Sequence, residues 1–124
     1  MNGWTGVDLD GTLAHYERVE VWNGEIGPPI PRMVERVKAW LADGEDVRIV
    51  TARVHPYRFN DSGDDVARSV AQQLQVIEAW CREHLGVVLP ITCAKDYGMK
   101  VLWDDRVVQV IPNTGEPVHD DGEL

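Results

Sequence analysis

Short apolar runs alternate with amphipathic stretches along most of the chain. Trp4 to Leu9 is the first run, too short for a helix and rich in strand formers. Val47–Val50, Val87–Thr92, Val101–Trp103 and Val107–Ile111 are the others, which predicts about five strands. Between them, Pro31 to Asp43 reads as a helix: Met33, Val34, Val37 and Leu41 form one apolar stripe with Trp40 at its border. Pro31 suits the first turn and Gly44 closes the end. A second helix is predicted from Asp64 to Leu85. Val66, Val70, Leu74, Ile77, Cys81 and Leu85 recur at helical spacing, Ser62 and Asp65 resemble a capping box, and Gly86 stops it. Strands alternating with helices predict an α/β fold with a mostly parallel sheet and covered faces. The gap between the fourth and fifth runs is too short for a parallel crossover, so the fifth is expected as an antiparallel edge strand paired to the fourth.

The excursion from Leu13 to Pro29 has its own pattern. Glu17 to Trp22 alternates polar and apolar, Asn23-Gly24 is a two-residue turn signal, and Glu25-Ile26-Gly27 is a return strand stopped by Pro28-Pro29. A small β-hairpin flap is expected there, hanging over one edge of the sheet, with Trp22 near its tip either on substrate or packed at the hairpin's base.

The polar residues that end the apolar runs carry the chemistry. A strand buried on both faces reads as continuous apolar residues. Here the runs finish in Asp8 and Asp10, then Thr51, then Lys95, then Asp104 and Asp105. Parallel strands place all these ends on one edge, where ligands of open α/β sheets bind. Asp-Gly alone is a common turn signal; the ordered series of polar ends is what argues for a site. Carboxylates gathered at one edge repel one another unless a cation lies among them, and oxygen ligands select a hard ion, Mg²⁺. A hydroxyl and a basic side chain beside such an ion describe a phosphate pocket. One carboxylate can attack phosphorus and a second can deliver a proton to the leaving oxygen.

Asp8-x-Asp10-Gly11-Thr12, Thr51, a later lysine and Asp104-Asp105 together resemble motifs I to IV of the haloacid dehalogenase (HAD) superfamily. The resemblance spans about Val7 to Asp105. It implies a Rossmann-like core and a Mg²⁺-dependent phosphatase, with Asp8 as nucleophile and Asp10 as general acid and base. The Asp10 backbone carbonyl, Asp8 and Asp104 would hold Mg²⁺, with Asp105 in support. For the lysine, Lys95 follows the third run, whereas Lys100 starts roughly 13 Å from the Asp104 end of the fourth, at the opposite edge. Lys95 is the choice, and Lys100 is a surface charge. Val50-Thr51-Ala52-Arg53, the long helix with Trp80, and Trp103-Asp104-Asp105-Arg106 are similar to the phosphatase module of polynucleotide kinase-phosphatases. That likeness implies a phosphate-binding Arg53, with Arg106 bracing the acidic loop. The segments between the motifs are too short for a large cap domain, so the site is expected to be open.

Size and charge narrow the substrate. The chain has 124 residues, enough for one domain, drawn here as residues 1–116 with an acidic, flexible tail at 117–124. A formal net charge of -9 argues against a broad basic surface for nucleic acid or lipid. A phosphorylated small molecule or nucleotide is therefore ranked ahead of a nucleic-acid end, which the open site would also suit. A non-catalytic phosphate-binding module is the rival from another class. A response-regulator receiver fits poorly, because its phosphorylated Asp ends the third strand, and here that strand leads into Thr92-Cys93-Ala94-Lys95. No apolar run is long enough to span a membrane and no signal-peptide pattern opens the chain, which gives a cytoplasmic expectation with no membrane partner. Cys81 and Cys93 are expected as free thiols, and His15, His55, His84 and His119 have no zinc-ligand spacing.

Overall fold

The computed structural model describes residues 2–17, 24–56 and 63–119, with the side chains of 63–68 excepted. Four strands form one parallel sheet in the order β3-β2-β1-β4. They are β1 (Trp4–Asp8), β2 (Asp46–Val50), β3 (Ile91–Thr92) and β4 (Met99–Trp103). Helix α1 (Pro31–Ala42) links β1 to β2, and α2 (Gly63–His84) lies between β2 and β3. Both helices fall within about one residue of the expected ends.

Strand alternation sorts the side chains. Val7 pairs in register with Ile49 and with Trp103, and Thr5 with Val47. Val7, Val47 and Ile49 are buried in one core with Met33 and Val37 of α1 and Ile77, Trp80 and Cys81 of α2. Trp103 meets Trp40 of α1 with ring centroids 5.2 Å apart. Both helices therefore cover the same face. This follows from handedness: β1 to β2 and β2 to β3 step in the same direction, and right-handed crossovers put both connections on one side.

The opposite face departs from expectation. The return from β3 at one edge to β4 at the other is made by Cys93 to Gly98 without a helix. This loop ties down the start of β1: Trp4 donates its indole N–H to Asp96 at 2.8 Å, and its backbone N–H to the Gly98 carbonyl at 2.9 Å. Arg48 lies over the Trp4 ring, 4.7 Å from its centroid, and Trp4 is almost fully buried. A strap and a cation–π contact thus replace the expected helical cover.

Two strand expectations are corrected. The third strand is short because Pro90 cannot donate to the ladder; its carbonyl accepts from Ile49, and regular pairing covers Ile91 and Thr92 alone. Val107–Ile111 is not a fifth strand on β4. The segment turns at Pro112 to Gly115 and pairs with its own continuation through a Val110–Pro117 bridge, with Val118 donating to the Gln109 carbonyl. Asn113 (φ 67°) and Gly115 (φ 75°) supply the left-handed backbone of that turn. Pro117 and Val118 therefore belong to a small hairpin rather than to the tail.

The arms of the Leu13–Pro29 excursion meet at its base, where Ala14 bridges Pro29 and His15 donates to the Pro28 carbonyl at 2.8 Å. A Cβ on Gly27 would collide with the His15 carbonyl oxygen, so this close approach requires glycine. Trp80 of α2 donates to the Gly27 carbonyl at 3.0 Å and fixes the excursion against the core. Glu25 to Gly27 is not strand, and the expected hairpin from Glu17 through Trp22 and Asn23 lies mostly outside the described residues. Among the described residues, no helix is long and apolar enough to cross a membrane.

Candidate phosphate and metal site

A cleft of about 460 Å³ opens at the carboxyl edge of the sheet, lined among others by Asp8, Asp10, Thr51, Arg53, Cys93 and Asp104. Strand register explains its make-up. Asp8 ends β1, Thr51 follows β2, and Asp104 follows β4, so parallel neighbours deliver all three to one edge.

The acidic residues divide into two groups. Asp8, Asp104 and Asp105 each offer a carboxylate oxygen, and the three oxygens lie within 4.8 Å of one another. Asp8 is held close to neutral: burial, a hydrogen bond with the Asp105 side chain, and the charges of Asp104, Asp105 and Asp10 push its pKa up to about 7. A buried carboxyl that retains its proton among neighbouring carboxylates is suited to a hard divalent cation. Gly11 is what lets Asp105 close in. Its φ is 92°, and a Cβ there would run into the Asp105 carboxylate. The variant Gly11→Ala is thus expected to displace Asp105 and weaken divalent-ion binding about tenfold or more, read by calorimetric titration.

Asp10 stands apart from this trio. Its two oxygens accept from Arg53 Nε (2.7 Å) and Nη2 (2.9 Å), a two-pronged pair largely removed from solvent. Arg53 is 6% exposed, and its remaining N–H groups are also taken: Nη1 donates to the Gly24 carbonyl and to Gln73 Oε1, and Nη2 to the Glu25 carbonyl. All five guanidinium donors therefore rest on protein acceptors. The expected phosphate ligand is instead the bolt that joins Asp10, the excursion and α2. The Asp10 carboxylate faces this bolt, so any share of Asp10 in metal binding falls to its backbone.

Thr51 keeps its expected place. It is buried, and its Oγ1 accepts the Arg53 backbone N–H at 3.2 Å, capping a single 3-10 turn at Ala52–Val54. That bond uses the oxygen and leaves the hydroxyl proton free to donate into the cleft. Lys95 does not keep its place. It is exposed and not part of the cleft wall, because the chain leaves the edge at Cys93 and its next residue, Asp96, already bonds Trp4 at the start of β1. Lys100 lies at the far edge as expected, with Nζ 2.6 Å from Glu45 Oε2 just before β2.

Tyr16, His55, Cys93 and Arg106 also line the cleft. Sequence reasoning did not place them there. For Gln73 a signal existed: it occupies a helical-stripe position between Val70 and Ile77, where a polar residue needs a buried partner.

A cation held by the trio would compete with the Asp8 proton, which gives a testable pH dependence. A carboxyl with a raised native pKa favours the fold below its unfolded pKa, and that contribution is lost as pH rises towards the native value. For Asp8 the window runs from about pH 4 to about 7. The metal-free protein should lose stability through that window relative to Asp8→Asn, and Mg²⁺ should raise the melting temperature more at pH 8 than at pH 5. Thermal melts in EDTA and in Mg²⁺ check this; equal metal shifts at both pH values would contradict it.

No family model matches the chain. Two curated proteins named Obg-like ATPase 1, from Oryza sativa subsp. indica and subsp. japonica, are each 30% identical over 106 aligned residues. Those alignments cover 64% of this chain and 27% of each relative, so the chain spans about a quarter of their length. The solved structure of a conserved protein from Bacteroides thetaiotaomicron is similar with a TM-score of 0.51 at 20% identity, covering 91% of this chain and 84% of that one. That likeness, with the parallel order β3-β2-β1-β4, establishes an α/β Rossmann-like fold.

Proposed function

We propose that the chain is a Mg²⁺-dependent phosphomonoesterase of the HAD type, with an uncapped site and a small phosphate ester or nucleotide as substrate. The observation that carries this reading is the Asp8–Asp104–Asp105 trio, with ligand oxygens within 4.8 Å of one another, two of its members lining the same cleft as Thr51. Three carboxylates alone would repel a phosphate. With Mg²⁺ among them the site carries the charge compensation that a phosphoryl group needs.

The ion would be held by Asp8 and Asp104, with Asp105 behind them, and when bound it neutralises phosphoryl oxygens and keeps the carboxylates ionised. The chain's own residues do the rest. An Asp8 oxygen attacks phosphorus in line with the ester oxygen, giving an aspartyl-phosphate as the P–O bond to the leaving group breaks. Asp10, two residues on and in the same cleft, is the general acid and base of this reading: one of its oxygens must turn from Arg53 and take up a proton, which it gives to the leaving oxygen before taking one from the water that later attacks the phosphorus. Arg53 sets the orientation of Asp10 through its two-pronged contact. Thr51 donates its hydroxyl proton to a phosphoryl oxygen.

The test is hydrolysis of p-nitrophenyl phosphate followed by a panel of phosphorylated metabolites, nucleotides and 3′- or 5′-phosphorylated oligonucleotides. The name of the rice relatives makes ATP one member of that panel. Turnover that requires Mg²⁺ and Asp8 supports the reading. Tight phosphate binding without turnover would support the binding-module alternative.

A further inference from the structure

We propose that Arg106 is the side chain that grips the substrate's phosphate at the outer wall of the cleft. The inference rests on the phosphomonoesterase reading and supplies a part that the reading lacks. A phosphate dianion entering a cleft lined by Asp8, Asp10 and Asp104, with Asp105 beside them, needs a cationic ligand besides the metal. The cations expected in that role do not supply it. Arg53 spends its five donors on Asp10, Gln73 and two carbonyls. Lys95 is off the cleft wall, and Lys100 is paired to Glu45 at the far edge. His55 lines the wall and already has an interaction of its own.

Arg106 differs from all of these. Its backbone N–H donates to Asp104 Oδ1 at 2.8 Å, which pins its Cα directly beyond the acidic trio. Its side chain is exposed and lines the cleft. Among the described residues its guanidinium makes no hydrogen bond or ion pair, although Asp104 and Asp105 are its neighbours in the chain. A planar fork with uncommitted donors at the mouth of a site matches two oxygens of a phosphate. Two oxygens gripped by Arg106, with a third left for the Thr51 hydroxyl, favour a monoester dianion, which has three non-bridging oxygens, over a diester, which has two.

Steady-state hydrolysis of p-nitrophenyl phosphate tests this with wild type, Arg106→Gln and Arg106→Lys, adding inorganic phosphate as competitive inhibitor. Removing the charge should raise KM and the phosphate inhibition constant together, about 10- to 100-fold, as expected for one charge-assisted pair. The Mg²⁺ concentration for half-maximal rate should stay unchanged, and Arg106→Lys should fall between. Turnover with an unaltered inhibition constant in Arg106→Gln would overturn the inference and leave the phosphatase reading standing. A shift in Mg²⁺ requirement as large as the shift for phosphate would also overturn it, making Arg106 a brace for the acidic loop. Absence of Mg²⁺-dependent turnover in wild type would remove both.

Discussion

Asp8→Asn is expected to abolish hydrolysis and, at the same time, to stabilise the metal-free protein. The two effects have one cause. Asp8 sits where burial and three other aspartates hold its pKa near 7, so at neutral pH it strains the fold in the absence of a cation. An amide keeps the shape, removes one charge from the cluster, and loses the nucleophile. Turnover should fall at least about 10³-fold, because an amide cannot form the acyl-phosphate of the proposed reaction. In EDTA at pH 8 the variant should melt above wild type; in saturating Mg²⁺ that advantage should shrink or reverse, because the ion has lost a charged ligand. Circular dichroism melts and an aryl phosphate assay read both halves. A variant less stable than wild type in EDTA would show that Asp8 is not the strained member of the trio.

Arg53→Ala should be the most damaging single substitution for the fold around the cleft. It leaves the Asp10 carboxylate, the Gln73 carbonyl and the carbonyls of Gly24 and Glu25 without the donors that now satisfy them. Removing one partner of a buried ion pair costs about 3–5 kcal/mol, which is roughly 10–20 °C in melting temperature for a domain of this size. Arg53→Lys should recover little, since one ammonium cannot replace a five-donor fork. A chemical-denaturation midpoint within error of wild type would contradict the assignment of Arg53 as the bolt between Asp10, the excursion and α2.

These residues also show where sequence reading succeeds. Asp8, Thr51 and Asp104 were legible because each interrupts or ends an apolar run, and parallel strands leave no choice about the edge on which such ends gather. The helices were legible because their stripes are long and clean, and each closes on a glycine with positive φ, Gly44 at 82° and Gly86 at 79°. Arg53 was placed at the right edge, yet the protein acceptors that occupy its donors were not foreseen. Spacing puts a side chain in a cleft without saying which acceptors, some of them 43 positions away, have already claimed its donors. Lys95 was misplaced for a related reason. The strand before it stops at Thr92, and the connection folds back across the sheet to Trp4, a path set by tertiary contacts rather than by local pattern. Val107–Ile111 is rich in strand formers, and its partner is Pro117–Val118 instead of β4; propensity marks a strand and leaves its neighbour open.

Asp8 and Asp104, from neighbouring strands, are proposed to share one divalent ion. The most direct measurement is anomalous diffraction from crystals soaked in Mn²⁺, which stands in for Mg²⁺ and scatters strongly. The prediction is one peak in the cleft within coordination distance of carboxylate oxygens of both Asp8 and Asp104, lost in Asp104→Asn. A cleft without a peak, with Mn²⁺ bound instead at the far edge beside Asp43, Glu45 and Asp46, would contradict it.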